Sequence, residues 1–352
     1  MPLIPHDHLW AFAADLLAAA GMQTDKAETT ATVLLEGDMI GHETHGVALI
    51  PMYLSALAKG EMTGGGDPEV VSDRGASFVW DGRLLPGAWL VTRALEQACD
   101  RLATHGVVTA AIRASHHTCA LAAFMRPVTE RGYIARLSCS NPAANRMAPY
   151  GGTRPLLTPN PIAYGFPTRG TPIVVDVSCS ITTTTMTQTL ARSGARFPEA
   201  WAQTADGTPT DDPREVTERG GALLPLGGAL KGHKGYGLAL AEELLTQGLS
   251  GKGRANTAAP GPLAQSVFLQ VMDPGAFAGL DPFLDQSEHL AEACRSNPPA
   301  AGARGPVRVP GDAAAAKRAR ALAEGVPVTA PVLAALTEAA EALNVGLLES
   351  AR

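Results

Sequence analysis

The stretch LLPLGGALKGHKGYGLAL, Leu223–Leu240, governs how the rest of this chain is read. A glycine-rich loop runs here into a helix. The first N–H groups of a helix lack backbone partners. Together with Lys234 and His233 they form a natural cradle for phosphate oxygens. The glycines nevertheless fall in the wrong order for the G-x-G-x-x-G turn of a Rossmann dinucleotide fold. No such turn joins a strand to a helix anywhere in the sequence. A nucleotide site at this loop would therefore belong to a different fold. The plainer reading, a flexible loop before a helix start, stays open on the loop alone, because helix starts are common and bound anions are not.

Outward from this loop, hydrophobic periodicity sets the elements. Apolar spacing of three and four predicts helices over 9–20 and 25–39, the first stopped by Gly21, and a third over 49–58 broken at Lys59-Gly60. GGGDP, Gly64–Pro68, is a turn or boundary. The pattern then changes. ASFVWDG reads as a short strand, 88–104 as a helix, and 107–112, 133–138, 173–177 and 266–272 as strands. Residues 232–249 form the helix that follows the opening loop. Strands and helices alternate, so the centre is α/β or α+β. Residues 313–325 and 330–343 are helical again, the second with Thr329 as its cap. Helical ends around a mixed centre predict a discontinuous helical domain, residues 1–74 with 305–352, and an α/β domain, residues 75–304. The Pro-, Gly- and Arg-rich stretch Pro298–Gly311 would be the return linker.

Composition narrows the function classes. The 352 residues are 45% hydrophobic and 18% charged, with a net charge of −6. That supports a sizeable core and about two domains. A mildly acidic chain without a Lys/Arg-rich run has no general attraction for nucleic acid. No apolar stretch approaches the ~18 residues needed to cross a membrane, and no basic region opens a signal peptide. The cysteines, Cys99, Cys119, Cys139, Cys179 and Cys294, are odd in number and widely spaced. Free thiols in a reducing cytoplasm are the expected state.

Two histidine clusters stand out: GHETHGVALIPMY, Gly41–Tyr53, and SHHTCA, Ser115–Ala120. Zinc on a helix favours histidines at i and i+4, whereas His42 and His45 stand at i and i+3, so no metal is expected. Adjacent His116 and His117 point in different directions on a regular element, so at most one faces a site. Histidines of this kind suit acid–base chemistry near neutral pH, although any single one is more often a satisfied core or surface residue. The TTTT run, Thr182–Thr185, reads by itself as a capped helix start.

The motifs taken together say more than any one. HETHGVALIPMY resembles the G-H-x-S-H-G-V-x-R-x-P-x-Y segment of the malate/L-lactate dehydrogenase-like oxidoreductases, which include ureidoglycolate and sulfolactate dehydrogenases and Δ1-piperideine-2-carboxylate reductases. RASHHTCALAAF, SNPAANRMAPYGGTRPLLTPNPIAYGFPT, IVVDVSCS, FPEAWAQTADGTPTDDP, LLPLGGALKGHKGYGLAL and VPGDAAAAKRARALAEGVPV are similar to further segments of that family, in the same order. The likeness spans about residues 9–343.

The resemblance implies a non-Rossmann, mixed-sheet NAD(P)-binding domain beside a helical domain for substrate and dimerisation. It implies a homodimer that uses NADPH or NADH to move hydride to or from a keto/hydroxy or cyclic imine/amine substrate. By motif, His117 and His45 become the candidate catalytic residues, with His117 slightly favoured as the acid. Thr44, Leu49, Asn141 and Arg146 fall on the substrate side. Ser140, Asp176, Val177, Ser178, Ser180, His233, Lys234, Gly235, Pro310, Gly311 and Asp312 fall on cofactor-contacting segments. The chemistry is coherent, because hydride arriving at C=O or C=N leaves negative charge that needs a proton or a strong donor.

The departures are equally specific. The family arginine that holds a substrate carboxylate is Leu49 here, which removes a bidentate partner. The F-G after the second histidine is Thr118-Cys119, and a Gly and a Lys after the aspartate strand are lost to the TTTT run. SNPAANRMAP is one residue longer than the family spacing. These changes point to a divergent, biosynthetic reductase whose substrate either lacks a carboxylate at the usual place or holds it through Arg146. The alternative is a non-redox isomerase or lyase that keeps the histidines on the same scaffold.

Overall fold

The computed structural model describes residues 1–258 and 263–348. The strands, in chain order, are β1 (Leu3–Ile4), β2 (Glu69–Asp73), β3 (Ser77–Asp81), β4 (Val107–Ser115), β5 (Ile134–Ser140), β6 (Ile162–Phe166), β7 (Ile173–Val177), β8 (Ala202–Gln203), β9 (Pro209–Thr210), β10 (Ala222–Leu223), β11 (Gln265–Met272) and β12 (Val326–Pro327). Seven of them form the central sheet, in the order β2-β3-β4-β11-β5-β6-β7. Neighbours are antiparallel except β3 and β4. That parallel pair needs a crossover, and the helix Gly87–Asp100 supplies it. At the middle of the sheet, Val108 and Ile112 on β4 and Val267, Leu269 and Val271 on β11 are inaccessible. β-Branched and leucine side chains at alternating positions fix this register.

The helical ends do pack together. β1 pairs antiparallel with β12, so the start of the chain is hydrogen-bonded to the segment before the last helix, Ala330–Leu343. One hydrophobic cluster runs from Leu9, Leu34 and Ile50 through Leu90 to Val267, and it takes in Ala321 and Leu336. The helical layer and the sheet thus share a core. The expected division at 74/75 falls in the turn of the β2–β3 hairpin, so it would cut paired strands. β2 escaped sequence reading because it is an edge strand. Its valines, Val70 and Val71, are exposed and show no inward alternation. Residues 349–352 of the expected helical unit lie outside the described residues.

A second, smaller core lies under the opening stretch. Met147, Leu157, Ile162, Cys179, Phe197, Leu223 and Ala239 close on one another beside the three-stranded sheet β10-β8-β9. The TTTT run follows its plain reading: Thr183 caps the helix Thr184–Ser193, its hydroxyl accepting the Met186 N–H at 3.1 Å. Thr329 stands at the expected cap position, yet its side chain makes no capping hydrogen bond. The helix Leu280–Arg295 has no counterpart among the expected elements. Pro282 lies in its first turn, where a missing N–H costs little. Among the described residues no helix is long and apolar enough to cross a membrane.

Candidate active site

The loop between the helices Thr24–Met39 and Ile50–Ala58 is held by an aspartate. Asp38 sits in the last turn of the first helix, and its carboxylate accepts the Val47 N–H at 2.8 Å. Gly46 is what allows the approach, since a Cβ there would lie 1.9 Å from Asp38 Oδ1. Burial pushes the Asp38 carboxyl up to about 7, against the pull of the Val47 N–H. The loop so held presents His45. Its Nδ1 is 2.9 Å from the Thr44 hydroxyl, and its ring stacks on that of His117, with centroids 5.7 Å apart.

His117 arrives from the end of β4. Its Nδ1 accepts the backbone N–H of Cys119 at 3.2 Å and lies 3.1 Å from the Tyr53 hydroxyl, which also contacts Cys119 Sγ at 3.2 Å. A backbone N–H can only donate. Nδ1 of His117 is therefore bare, and in the neutral ring the hydrogen is on Nε2. Burial, with His45 and His116 adding to it, drives the His117 pKa down to about 3. Burial and the neighbouring His42 take His45 down to about 4. Both rings are neutral at physiological pH. His117 is thus a fixed hydrogen-bond donor through Nε2, while either tautomer of His45 satisfies Thr44.

Cys119 occupies the position where the resembling family has glycine, and it keeps a glycine-like backbone, with φ of 62°. That conformation aims its N–H at His117. His116, also beyond the end of β4, is buried and packs edge-on against the same Tyr53 at 5.6 Å. Leu49 is partly buried and packs against the main core, so the position of the missing arginine is apolar.

The cofactor-side residues divide into two groups. His233 and Lys234 are exposed at the start of the helix His233–Glu243, and Tyr150 packs edge-on against His233 at 5.7 Å. The Gly235 and Tyr236 N–H groups donate to the Leu226 and Gly232 carbonyls, which leaves the side chains and N–H groups of His233 and Lys234 to fit the diphosphate of a dinucleotide. Gly235 is a packing residue: a Cβ there would strike the Leu226 backbone. Val177 is exposed at the end of β7. Asp176 on the same strand is buried and accepts the Ala122 N–H at 2.9 Å, which ties β7 to the segment that follows His117. Burial raises its pKa, and the charge of His42 opposes that.

Several expected contact residues have side chains committed within the protein. Ser140 is buried, with its hydroxyl on Thr246 at 2.7 Å and on Gln247 at 2.9 Å. Ser178 and Ser180 bond to the backbone of Ser180 and Thr182. Asp312 pairs with Arg295 and accepts the Val309 N–H, while the Pro310 carbonyl accepts the Val174 N–H and Gly311 passes close to Pro172. Asn141 Oδ1 accepts the Ala143 N–H. Arg146 makes its side-chain hydrogen bond to the Asn145 carbonyl and none to the histidines. It lines a groove of about 320 Å³ with Thr184, Thr187, Arg192 and Glu218, which neither His45 nor His117 lines.

Residues 4–337 match the malate/L-lactate dehydrogenase family. The chain belongs to that family. This dehydrogenase-family protein is 32% identical over 343 residues to an L-lactate dehydrogenase of Cupriavidus necator, covering 95% of this chain and 96% of that one. It is 35% identical over 332 residues to a Δ1-pyrroline-2-carboxylate/Δ1-piperideine-2-carboxylate reductase of Pseudomonas syringae pv. tomato, covering 91% of each. The solved Δ1-piperideine-2-carboxylate reductase of that organism matches with a TM-score of 0.84 at 30% identity, over 96% of this chain and 100% of the other. The protein is an NAD(P)-dependent oxidoreductase. These relatives give no support to an isomerase or lyase.

Tyr53, Asp38 and Cys119 were not assigned as functional from sequence. Tyr53 stood in the quoted histidine stretch without a role. Asp38 carried one usable signal, an acid next to the apolar stripe of Val33, Leu34, Leu35 and Met39 on its helix.

Proposed function

We propose that this oxidoreductase reduces a carbonyl or cyclic imine whose recognised end carries no carboxylate at the position next to Leu49. NADPH or NADH supplies the hydride. His117, through Nε2–H, donates to the oxygen or nitrogen that gains charge, and His45 orients the substrate from the facing side. The hydrogen bond from the Cys119 N–H to His117 Nδ1 carries this reading, because it leaves Nε2–H as the donor. The apolar setting of Leu49, and the separate groove that Arg146 lines, support an uncharged substrate end over a carboxylate held by arginine. The test is a substrate panel pairing 2-oxo and imino acids with their amides, followed by absorbance loss of NADPH and NADH. The amides are expected to have the higher kcat/KM. Leu49→Arg should reverse that order, improving the acids by about tenfold or more, the worth of one charge-assisted hydrogen bond. A wild-type preference for the acids would contradict the reading.

A homodimer in the cytoplasm completes the proposal. Leu240, at 40% exposed, and Leu244, at 70%, stand four residues apart on one side of the cofactor helix and its continuation. This exposed apolar pair suits a face shared by two copies. Light scattering of the wild type and of Leu244→Asp checks it, with a dimer expected only for the wild type.

A further inference from the structure

Between the cofactor helix and β11 the chain doubles back through GKGR, Gly251–Arg254. Gly253 makes the return possible, since a Cβ there would lie 2.4 Å from Gln247 Oε1. The Arg254 N–H donates to that same oxygen at 2.9 Å. Gln247 is presented by a π-helical turn, Leu244–Gly248, which continues the cofactor helix and buries Thr246 and Gln247. Such turns are rare and concentrate at functional sites.

The return inserts the Arg254 guanidinium between two parts of the site. Toward the helix, Nε and Nη2 reach the two Glu243 oxygens at 3.0 and 2.9 Å. Toward the loop after β5, Nη1 donates to the Ala144 carbonyl and to Asn145 Oδ1, each at 2.9 Å, and Nη2 donates to the Asn141 carbonyl at 3.2 Å. A guanidinium has five N–H donors, and all five are used here. Glu243 is saturated in turn, accepting from Asn160 at 3.0 Å and from Gln247 as well. No donor of Arg254 is left for a ligand.

We propose that Arg254 is a positioning residue for the reduction: it locks loop 141–146, whose Asn141 is the substrate-side candidate, to the helix that opens with His233 and Lys234. This rests on the oxidoreductase reading of those two segments. By motif, SNPAANRMAP is one residue longer than the resembling family's segment, and the Ala144 and Asn145 acceptors lie within that segment. A longer loop without an anchor samples more conformations, and misplacing a substrate contact by about 1 Å costs roughly 100-fold in rate.

The experiment compares Arg254→Lys, Arg254→Met and Asn145→Ala with the wild type in melting temperature, hydrogen exchange of residues 143–147, and steady-state kinetics. Asn145→Ala removes one acceptor and leaves no buried charge, so it tests the clamp even where Arg254→Met fails to fold. The expected results are faster exchange in the loop and a tenfold or greater rise in the KM of the reducible substrate. The KM of NAD(P)H should stay within threefold of the wild type, with Arg254→Lys intermediate. Unchanged loop exchange in folded Arg254→Met and in Asn145→Ala overturns the proposal. So does activity loss that follows the melting temperature with both KM values unaltered, since that is a purely structural role. The exchange readout needs no turnover, so a wild type that failed to use NAD(P)H would sink the oxidoreductase reading and leave the clamp separately decided.

Discussion

Two buried polar regions of this protein solve the same problem in opposite ways. Among the described residues no carboxylate acts on His45 or His117. Burial answers by keeping both rings neutral, with pKa values near 4 and 3. Around Glu243 and Arg254 the charges pair, and the guanidinium's five donors are all satisfied. The first region leaves His117 Nε2 without a protein partner among the described residues. The second uses its polar atoms up and becomes rigid. The candidate site and the scaffold thus differ in whether hydrogen-bonding capacity remains.

The sharpest way to break this contrast is to remove the free donor. His117→Ala should lower kcat by about 10²–10⁴-fold, the usual worth of a general acid, while NAD(P)H affinity, read by fluorescence titration, is unchanged. His45→Ala should cost less, because it orients and does not donate. Equal losses would merge the two roles.

Gly46→Ala comes next. Its Cβ would enter the space of the Asp38 carboxylate, 1.9 Å from Oδ1, and overpacking of this kind costs about 1–3 kcal/mol. Thermal unfolding should show the loss, together with weakened activity from a displaced His45. A wild-type melting temperature would mean that Asp38 does not hold the loop.

The pH dependence of stability follows from the same groups. His45, His116 and His117 have folded pKa values near 4, 4 and 3, against 6.5 for an ordinary histidine. Below pH 6.5 the unfolded chain takes up protons that these folded rings refuse. Their contribution is therefore full above pH 6.5 and is lost as pH falls toward 4 and 3. Asp38, raised to about 7, acts with the opposite sign. It binds its proton more tightly when folded, so its contribution is present at low pH and fades as pH rises from 3.8 through 7. Three histidines outweigh one aspartate. The urea midpoint should fall between pH 7 and pH 5, and the fall should be shallower in His116→Asn. A midpoint that rose over that window would place opposite charges near the histidines.

The smallest effect belongs to a purely structural cap. Thr183→Ala loses the hydrogen bond to Met186 N–H and should cost about 1 kcal/mol of stability, with kinetics unaltered. A change in NAD(P)H affinity would show that the threonine run does more than cap its helix.

How much was legible in sequence depends on whether a signal was local. The helices 24–39 and 330–343 and the strand 173–177 announced themselves through periodicity or β-branched runs, and the structure places them within one residue. β6 did not, because IAYGF follows a proline and carries a glycine, and it gains its place only by pairing with β5 and β7. At the site, His45 and His117 were picked out by their motifs. Their convergence and the role of Tyr53 depend on residues 64 and more apart in sequence meeting in space, and the local bond from Cys119 depends on a positive φ that the sequence does not announce. Arg254 had no signal at all, since a lone arginine in a glycine-rich loop reads as solvated surface. The Leu49 departure was visible immediately, whereas the groove that Arg146 lines needed the fold.

The most direct test of the account is a single titration series. Wild type, His117→Ala and Arg254→Met would each be mixed with NADPH or NADH, and the best amide or imine substrate would then be added while nicotinamide absorbance is followed. The account predicts saturable cofactor binding in all three. It also predicts turnover in the wild type, near-abolished turnover in His117→Ala, and turnover recovered at high substrate in Arg254→Met. Undiminished turnover in His117→Ala would contradict it.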